Sequence, residues 1–139
     1  MTTQQNVDKT EWQAQVANLK QSGFARCEWL TATHNGADSF VISLMLSKED
    51  LSESVILSTD AEGSIDSVSD IYPAVEFHER EVAQMFGLEF VGLKDATPAF
   101  EIELPGFPLR RDFALATRAG AEWPGAVEPD ENAKRRPSL

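Results

Sequence analysis

Apolar residues recur at helical spacing early in the chain. Trp12, Val16 and Leu19 stand at i, i+4 and i+7, which predicts an amphipathic helix over 10–22. Thr10 and Gln13 have capping-box spacing at its start, and Gly23 is placed to stop it in a left-handed conformation. The period then changes to two. Ala25, Cys27 and Trp29 alternate with Arg26 and Glu28, as in a strand with one wet face, and Phe40, Ile42, Leu44 and Leu46 alternate in the same way. His34-Asn35-Gly36 lies between these runs as a turn, so the two strands are expected to form an antiparallel hairpin. Val55-Ile56-Leu57 reads as a third strand and 60–63 as the turn leaving it. A second helix is expected to start within 70–73 and run to Phe86, with Val75, His78, Val82 and Met85 as its apolar stripe, Phe86 beside it and Gly87 as its stop. Residues 88–92 complete the pattern as a fourth strand. The predicted class is α+β: a body over 1–93 in which two helices pack on a mainly antiparallel sheet of about four strands.

Composition changes this picture at one point. Six of the seven prolines (Pro98, Pro105, Pro108, Pro124, Pro129 and Pro137) lie in the last 42 residues, where they exclude long helices and central strands. Charge shifts in the same region: 6 basic and 18 acidic residues over 1–109 give −12, while 6 basic and 5 acidic over 110–139 give +1, for −11 in all. Residues 94–139 are therefore expected to be an extended, proline-rich C-terminal segment, with Phe100, Phe107, Phe113 and Trp123 as apolar anchors and Lys134-Arg135-Arg136 as a charged tip. An acidic chain repels phosphate backbones and anionic lipid, which argues against nucleic-acid binding. No apolar run approaches a membrane span, and the start carries no secretory signature. The single Cys27 suits a reducing compartment and cannot furnish a thiolate cluster. A cytoplasmic chain is expected.

Candidate chemistry is sparse. The 8 glycines are scattered, with no phosphate-binding loop. His78-Glu79-Arg80-Glu81-Val82 begins like a zinc helix, but Val82 stands where the second imidazole is needed. Glu76 and Glu79 share a helix face and could serve as a carboxylate pair, or be merely solvated. Cys27 reads as a small core residue and His34 as a turn residue. No metal, flavin or nicotinamide site is expected in this chain.

Two motifs remain. Residues 67–92 read SVSDIYPAVEFHEREVAQMFGLEFVG, and 108–113 read PLRRDF. Ser67 to Ala74, Glu79-Arg80-Glu81-Val82, Met85-Phe86-Gly87, Phe90, Gly92 and Pro108-Leu109-Arg110-Arg111-Asp112-Phe113 resemble, in order, the signature runs of the C-subunit family of proton-pumping NADH-quinone oxidoreductase, respiratory complex I. The resemblance covers about residues 10–118. The chain departs from that pattern at Gln84, where the family usually has an acidic residue, at Leu93, where a His usually follows, and over 93–100.

The resemblance implies a non-catalytic structural subunit of the peripheral arm of a membrane-associated complex, on the cytoplasmic face, with no cofactor of its own. It implies docking on the large quinone-site subunit, which is related to hydrogenase large subunits, and on neighbouring iron–sulfur subunits. It also points to Glu79, Arg80, Glu81, Phe107, Pro108, Leu109, Arg110, Arg111, Asp112 and Phe113 as partner-facing residues; the other readings are a charge set within the domain for Glu79-Arg80-Glu81 and a loop folded back on its own body for PLRRDF. On the partner-facing reading, replacing Arg110 and Arg111 by Ala weakens assembly and leaves the body's stability nearly unchanged. Three alternatives stay open: the equivalent subunit of a membrane-bound energy-converting hydrogenase, a small enzyme built on Glu76, His78 and Glu79, and a stand-alone binding module.

Overall fold

A computed structural model describes residues 1–114. The expected α+β class holds, with six strands and two helices: β1 (Thr2–Asn6), α1 (Trp12–Gln21), β2 (Arg26–Gly36), β3 (Ser39–Ser47), β4 (Ser54–Glu62), β5 (Ser64–Asp66), α2 (Val75–Phe86) and β6 (Glu89–Val91). The sheet runs β2-β3-β4-β5-β6, and β1 lies parallel beside the first half of β4. β2, β3, β4 and β5 are joined antiparallel; β5 and β6 pair in parallel. β1 and β5 are additions to the four expected strands. All five residues of β1 are exposed, so no burial alternation marks it, and β5 is only three residues long.

The core lies on one face of the sheet. Phe40, Ile42, Leu44 and Leu46 are all 0% exposed, and the residues opposite them in β4 (Ala61, Thr59, Leu57 and Val55) are buried too. Trp12 and Val16 of α1 and Val75, Val82 and Phe86 of α2 complete the same core. An alternation sustained over nine residues leaves β3 no other register, because a one-residue slip would turn its whole apolar set to water.

Local details correct five expectations. The expected turn over 60–63 narrows to Gly63, because β4 runs on to Glu62. α1 begins two residues late, after a 3₁₀ turn (Lys9–Glu11) capped by Asp8, whose carboxylate accepts from the Thr10 N–H and hydroxyl; the Thr10/Gln13 capping box does not form. In β2 a bulge at Glu28 changes the phase, because Cys27 pairs with Leu46 but Trp29 with Met45. The inward set is thus Cys27, Leu30, Ala32 and His34, while Trp29 faces outward. His34 is not in the turn. It is a strand residue, 2% exposed, and the reversal falls at Ala37 and Asp38. The stripe of α2 is Val75, Glu79, Val82 and Phe86, with His78 and Met85 only partly buried. Gly87 ends the helix as expected, at φ +71°.

Among the described residues, 92–114 contain no helix or strand, in keeping with their prolines. Trp123 and Lys134-Arg135-Arg136 lie outside the described residues.

Candidate docking site

The two motifs meet on α2. Its inner face carries Glu79, 0% exposed. Oε1 accepts the Val68 N–H at 2.8 Å and Oε2 the Ser67 hydroxyl at 2.6 Å, while Ser67 and Ser69 join their hydroxyls at 2.7 Å. The carboxylate thereby staples the helix to the stretch that follows β5. No cation pairs with it among the described residues, and burial pushes its pKa up to about 6 against the pull of those two donors. Glu79 is turned inward rather than offered to a partner.

The outer face of α2 holds the segment that follows the sheet. Arg80 Nε donates to the Thr97 carbonyl at 2.8 Å and Nη2 to that of Pro98 at 3.0 Å, with Asp95 3.5 Å from Nη1. One turn on, the Gln84 amide donates to the Phe100 carbonyl at 3.0 Å and accepts the Phe100 N–H at 2.9 Å. At the helix end the Leu109 N–H reaches the Met85 carbonyl at 3.2 Å. Phe107 lies so close over Gly87 that a Cβ there would stand 2.5 Å from its ring. Residues 97–110 therefore form a strap along the helix, crossing it in the same direction as the chain runs.

Arg110 fastens the strap. Its guanidinium lies 5.2 Å from the Phe40 ring centroid and 4.8 Å from that of Phe107. Nε donates to the Phe86 carbonyl at 2.5 Å, and Nη1 stands 3.2 Å from Asp38. Next to it the buried His34 uses both ring nitrogens: Nδ1 accepts the Arg111 N–H at 3.0 Å, and Nε2 bonds the Ala37 carbonyl at 2.7 Å. In that pairing Nδ1 is the acceptor and Nε2 the donor.

Of the expected partner-facing residues, Glu79 is buried, while Arg80 and Arg110 keep only 21% and 17% of their side chains exposed. Arg110 belongs to the chain's own structure. Glu81, Pro108 and Phe113 are half-buried. Phe107, Leu109, Arg111 and Asp112 stay exposed, and Phe77 and Ile102 extend the apolar part of that surface, being 47% and 56% exposed. Phe77 meets Phe100 edge-on at 5.9 Å. The carboxylate and imidazole groups of the enzyme alternative do not converge: Glu76 and His78 are half-exposed, and Glu79 is sealed inside. Among the described residues no three His, Cys, Asp or Glu side chains are grouped to hold a metal. Cys27 is half-buried, its thiol pushed up to about 11 chiefly by burial, which is the opposite of what a nucleophile requires.

Sequence reasoning missed His34, Asp38 and the clamping role of Gln84. Continuing the period-two pattern through Leu30 and Ala32 would have found His34. Gln84 stands one turn after Arg80, and that spacing was its only signal.

The comparisons with known proteins agree with the motifs. The family model for the 30 kDa subunit of respiratory-chain NADH dehydrogenase matches residues 5–119. The C subunit of NADH-quinone oxidoreductase from Maricaulis maris is 34% identical over 82 residues, 58% of this chain and 38% of that protein. Its counterpart from Acidothermus cellulolyticus is also 34% identical over 82 residues, 58% of this chain and 42% of its own. The chain thus spans about two-fifths of the length of these relatives. Among solved structures, a trypsin-resistant fragment of Nqo5 aligns with a TM-score of 0.60 at 18% identity, covering 66% of this chain and 80% of that one. A chain of the membrane-bound sulfane sulfur reductase, an archaeal respiratory membrane complex, aligns at 0.75 with 22% identity, covering 83% and 74%. At these identities the likeness is one of fold.

Proposed function

The chain belongs to the family of the 30 kDa subunit of respiratory-chain NADH dehydrogenase, and from that premise we propose that it is a non-catalytic structural subunit in the peripheral arm of an NADH-quinone oxidoreductase-type complex. It docks on the large quinone-site subunit beside the iron–sulfur subunits, at the cytoplasmic face of the membrane. It supports electron transfer to quinone by holding that subunit in place, and contributes no cofactor or reacting group. No helix among the described residues is long and apolar enough to cross a membrane, which suits a peripheral position.

The observation that carries this reading is the joining of two motifs more than fifteen residues apart into one ordered surface on α2, with Phe107, Leu109, Arg111 and Asp112 left outward. Such a surface costs little ordering entropy on binding, because the strap is already fixed by Arg80, Gln84 and Arg110. One chain of the archaeal sulfane sulfur reductase complex has the same fold, so the fold is not confined to NADH-quinone oxidoreductases, and the equivalent subunit of an energy-converting hydrogenase is the second reading.

Affinity purification of the tagged chain from solubilised native membranes tests the proposal. Stoichiometric recovery of a hydrogenase-large-subunit-like protein, with NADH-quinone activity in the eluate, is expected. Recovery of hydrogenase activity instead selects the second reading, and recovery of the chain alone overturns both.

A further inference from the structure

The sheet carries both helices on the side of the core, and the residues of its other side take no part in that core. On that side the register sets Trp29 beside Met45 and Met45 beside Ile56, so three apolar side chains form one row across three strands. All three are part-exposed and none joins the core. The next row is Thr31, Ser43 and Ser58, with the two serine hydroxyls 3.1 Å apart, and Val41 lies in the row beyond. Neither of the first two rows holds a charge, in a chain where 25% of residues are charged. The charge on this face sits at its two ends. At one, Arg26 neutralises Glu28 at 3.3 Å. At the other, Asp60 and Glu62 are exposed and form no ion pair among the described residues; Asp8 and Lys9 line the same hollow and leave it net acidic.

A merely wet face of a two-layer sheet alternates to polar residues. A contiguous strip containing Trp and Met and free of charge has instead the composition of an interface centre. We propose that this sheet face is a second protein-docking surface, and that its partner is a flat apolar element bordered by Lys or Arg side chains that meet Asp60 and Glu62. The charge pattern selects that occupant. A second copy would bring another net −11 and a second Asp60/Glu62 pair, and an anionic lipid surface would be repelled in the same way. A basic protein surface complements both the strip and its acidic end. The inference goes beyond the role proposed above, since the face lies across the sheet from α2 and is indifferent to which complex holds the chain.

The test uses the full chain in its native cells, with the photoreactive residue benzoylphenylalanine in place of Thr31 and, as a control, of Leu51, an exposed residue of the β3–β4 loop. Irradiation should link position 31 to one protein, at a peptide with Lys or Arg within a few residues of an apolar run. Reversing both charges, Asp60→Lys with Glu62→Lys, should lower the yield at least tenfold while the purified variant melts within a few degrees of the parent. A yield at position 31 no higher than at 51, a link to a second copy of the chain, or a yield indifferent to the reversal would each overturn the proposal. Loss of the α2-side partners alone would leave it standing, so the two readings fail separately.

Discussion

The two faces of α2 are held by different physics. The inner face presents Val75, Val82 and Phe86 to the core and owes its hold to buried apolar area, with Glu79 as a single polar staple. The outer face grips the strap through Arg80, Gln84 and the helix-end carbonyls of Met85 and Phe86, with Phe77 set edge-on to Phe100. Area is lost all at once, whereas a row of hydrogen bonds is lost one at a time. The body should therefore unfold cooperatively, and the strap should be releasable from a body that stays folded.

The largest effect should come from the inner face. Phe86 is 6% exposed and meets Phe40 edge-on at 6.3 Å, and loss of such a side chain typically costs about 3–5 kcal/mol. Phe86→Ala should lower the urea midpoint of the whole domain; a near-parental midpoint would show that the inner face is not what holds the helix. Arg110→Ala sharpens the contrast from the other side. It removes bonds to Phe86 and Asp38 and a cation between two rings, worth about 2–3 kcal/mol together. That loss should surface as faster proteolysis within 97–113, with the core's amide protection retained. Uniform loss of protection would mean that the strap and body form one cooperative unit.

How far these contacts were legible follows from where their signals lie. The strands β2, β3 and β4 and both helices were readable because alternation and helical spacing report burial directly. Gly87 was readable because a left-handed helix end favours glycine. The Glu28 bulge left no mark, since an extra residue preserves local alternation on either side of it while reversing its sense. Glu79 stands at i+4 from Val75 and i−3 from Val82, squarely within the stripe, yet a carboxylate at a core position is read as surface unless its donors are known. Those donors are a backbone N–H and a serine hydroxyl, 11 and 12 residues away. Among the described residues, 92–114 hold no helix or strand, which suits the prolines there. Which groups Arg110 meets could not be read, because Phe40, Asp38 and the Phe86 carbonyl come together only in the folded sheet.

Glu79 offers the next test, of about 2 kcal/mol. Its folded pKa is raised from 4.5 to about 6, so the folded state binds the proton more tightly than the unfolded chain does. Stability is therefore highest below about pH 4.5 as far as this group is concerned, falls as pH rises through the window to about 6, and stays lower above it. A shift of that size corresponds to about 2 kcal/mol. In Glu79→Gln the amide oxygen can accept the Val68 N–H and the amide nitrogen can donate to Ser67, whose own hydrogen can pass to Ser69. That variant should lose the pH dependence between 4.5 and 6 and exceed the parent's stability at pH 7. Glu79→Leu, which strands both donors, should be less stable than either. Parallel pH profiles for parent and Gln variant would show that the staple is not the titrating group.

The smallest effect, about 1 kcal/mol, isolates the outer grip. Gln84 both donates to and accepts from the Phe100 backbone, a double role open to an amide and closed to a carboxylate. Gln84→Glu keeps the acceptor for the Phe100 N–H but sets a second oxygen against the Phe100 carbonyl, so one bond of ordinary worth is replaced by a repulsion. The domain's melting temperature should barely move, because no core contact changes. Amide exchange should quicken at Phe100 and nearby strap residues, and the edge contact between Phe77 and Phe100 should loosen with it. Exchange unchanged at Phe100 would mean that Arg80 and Arg110 alone hold the strap. Exchange quickened equally in β3 would mean that the two faces of α2 are not separable, and that the helix transmits a loss on its outer side directly into the core.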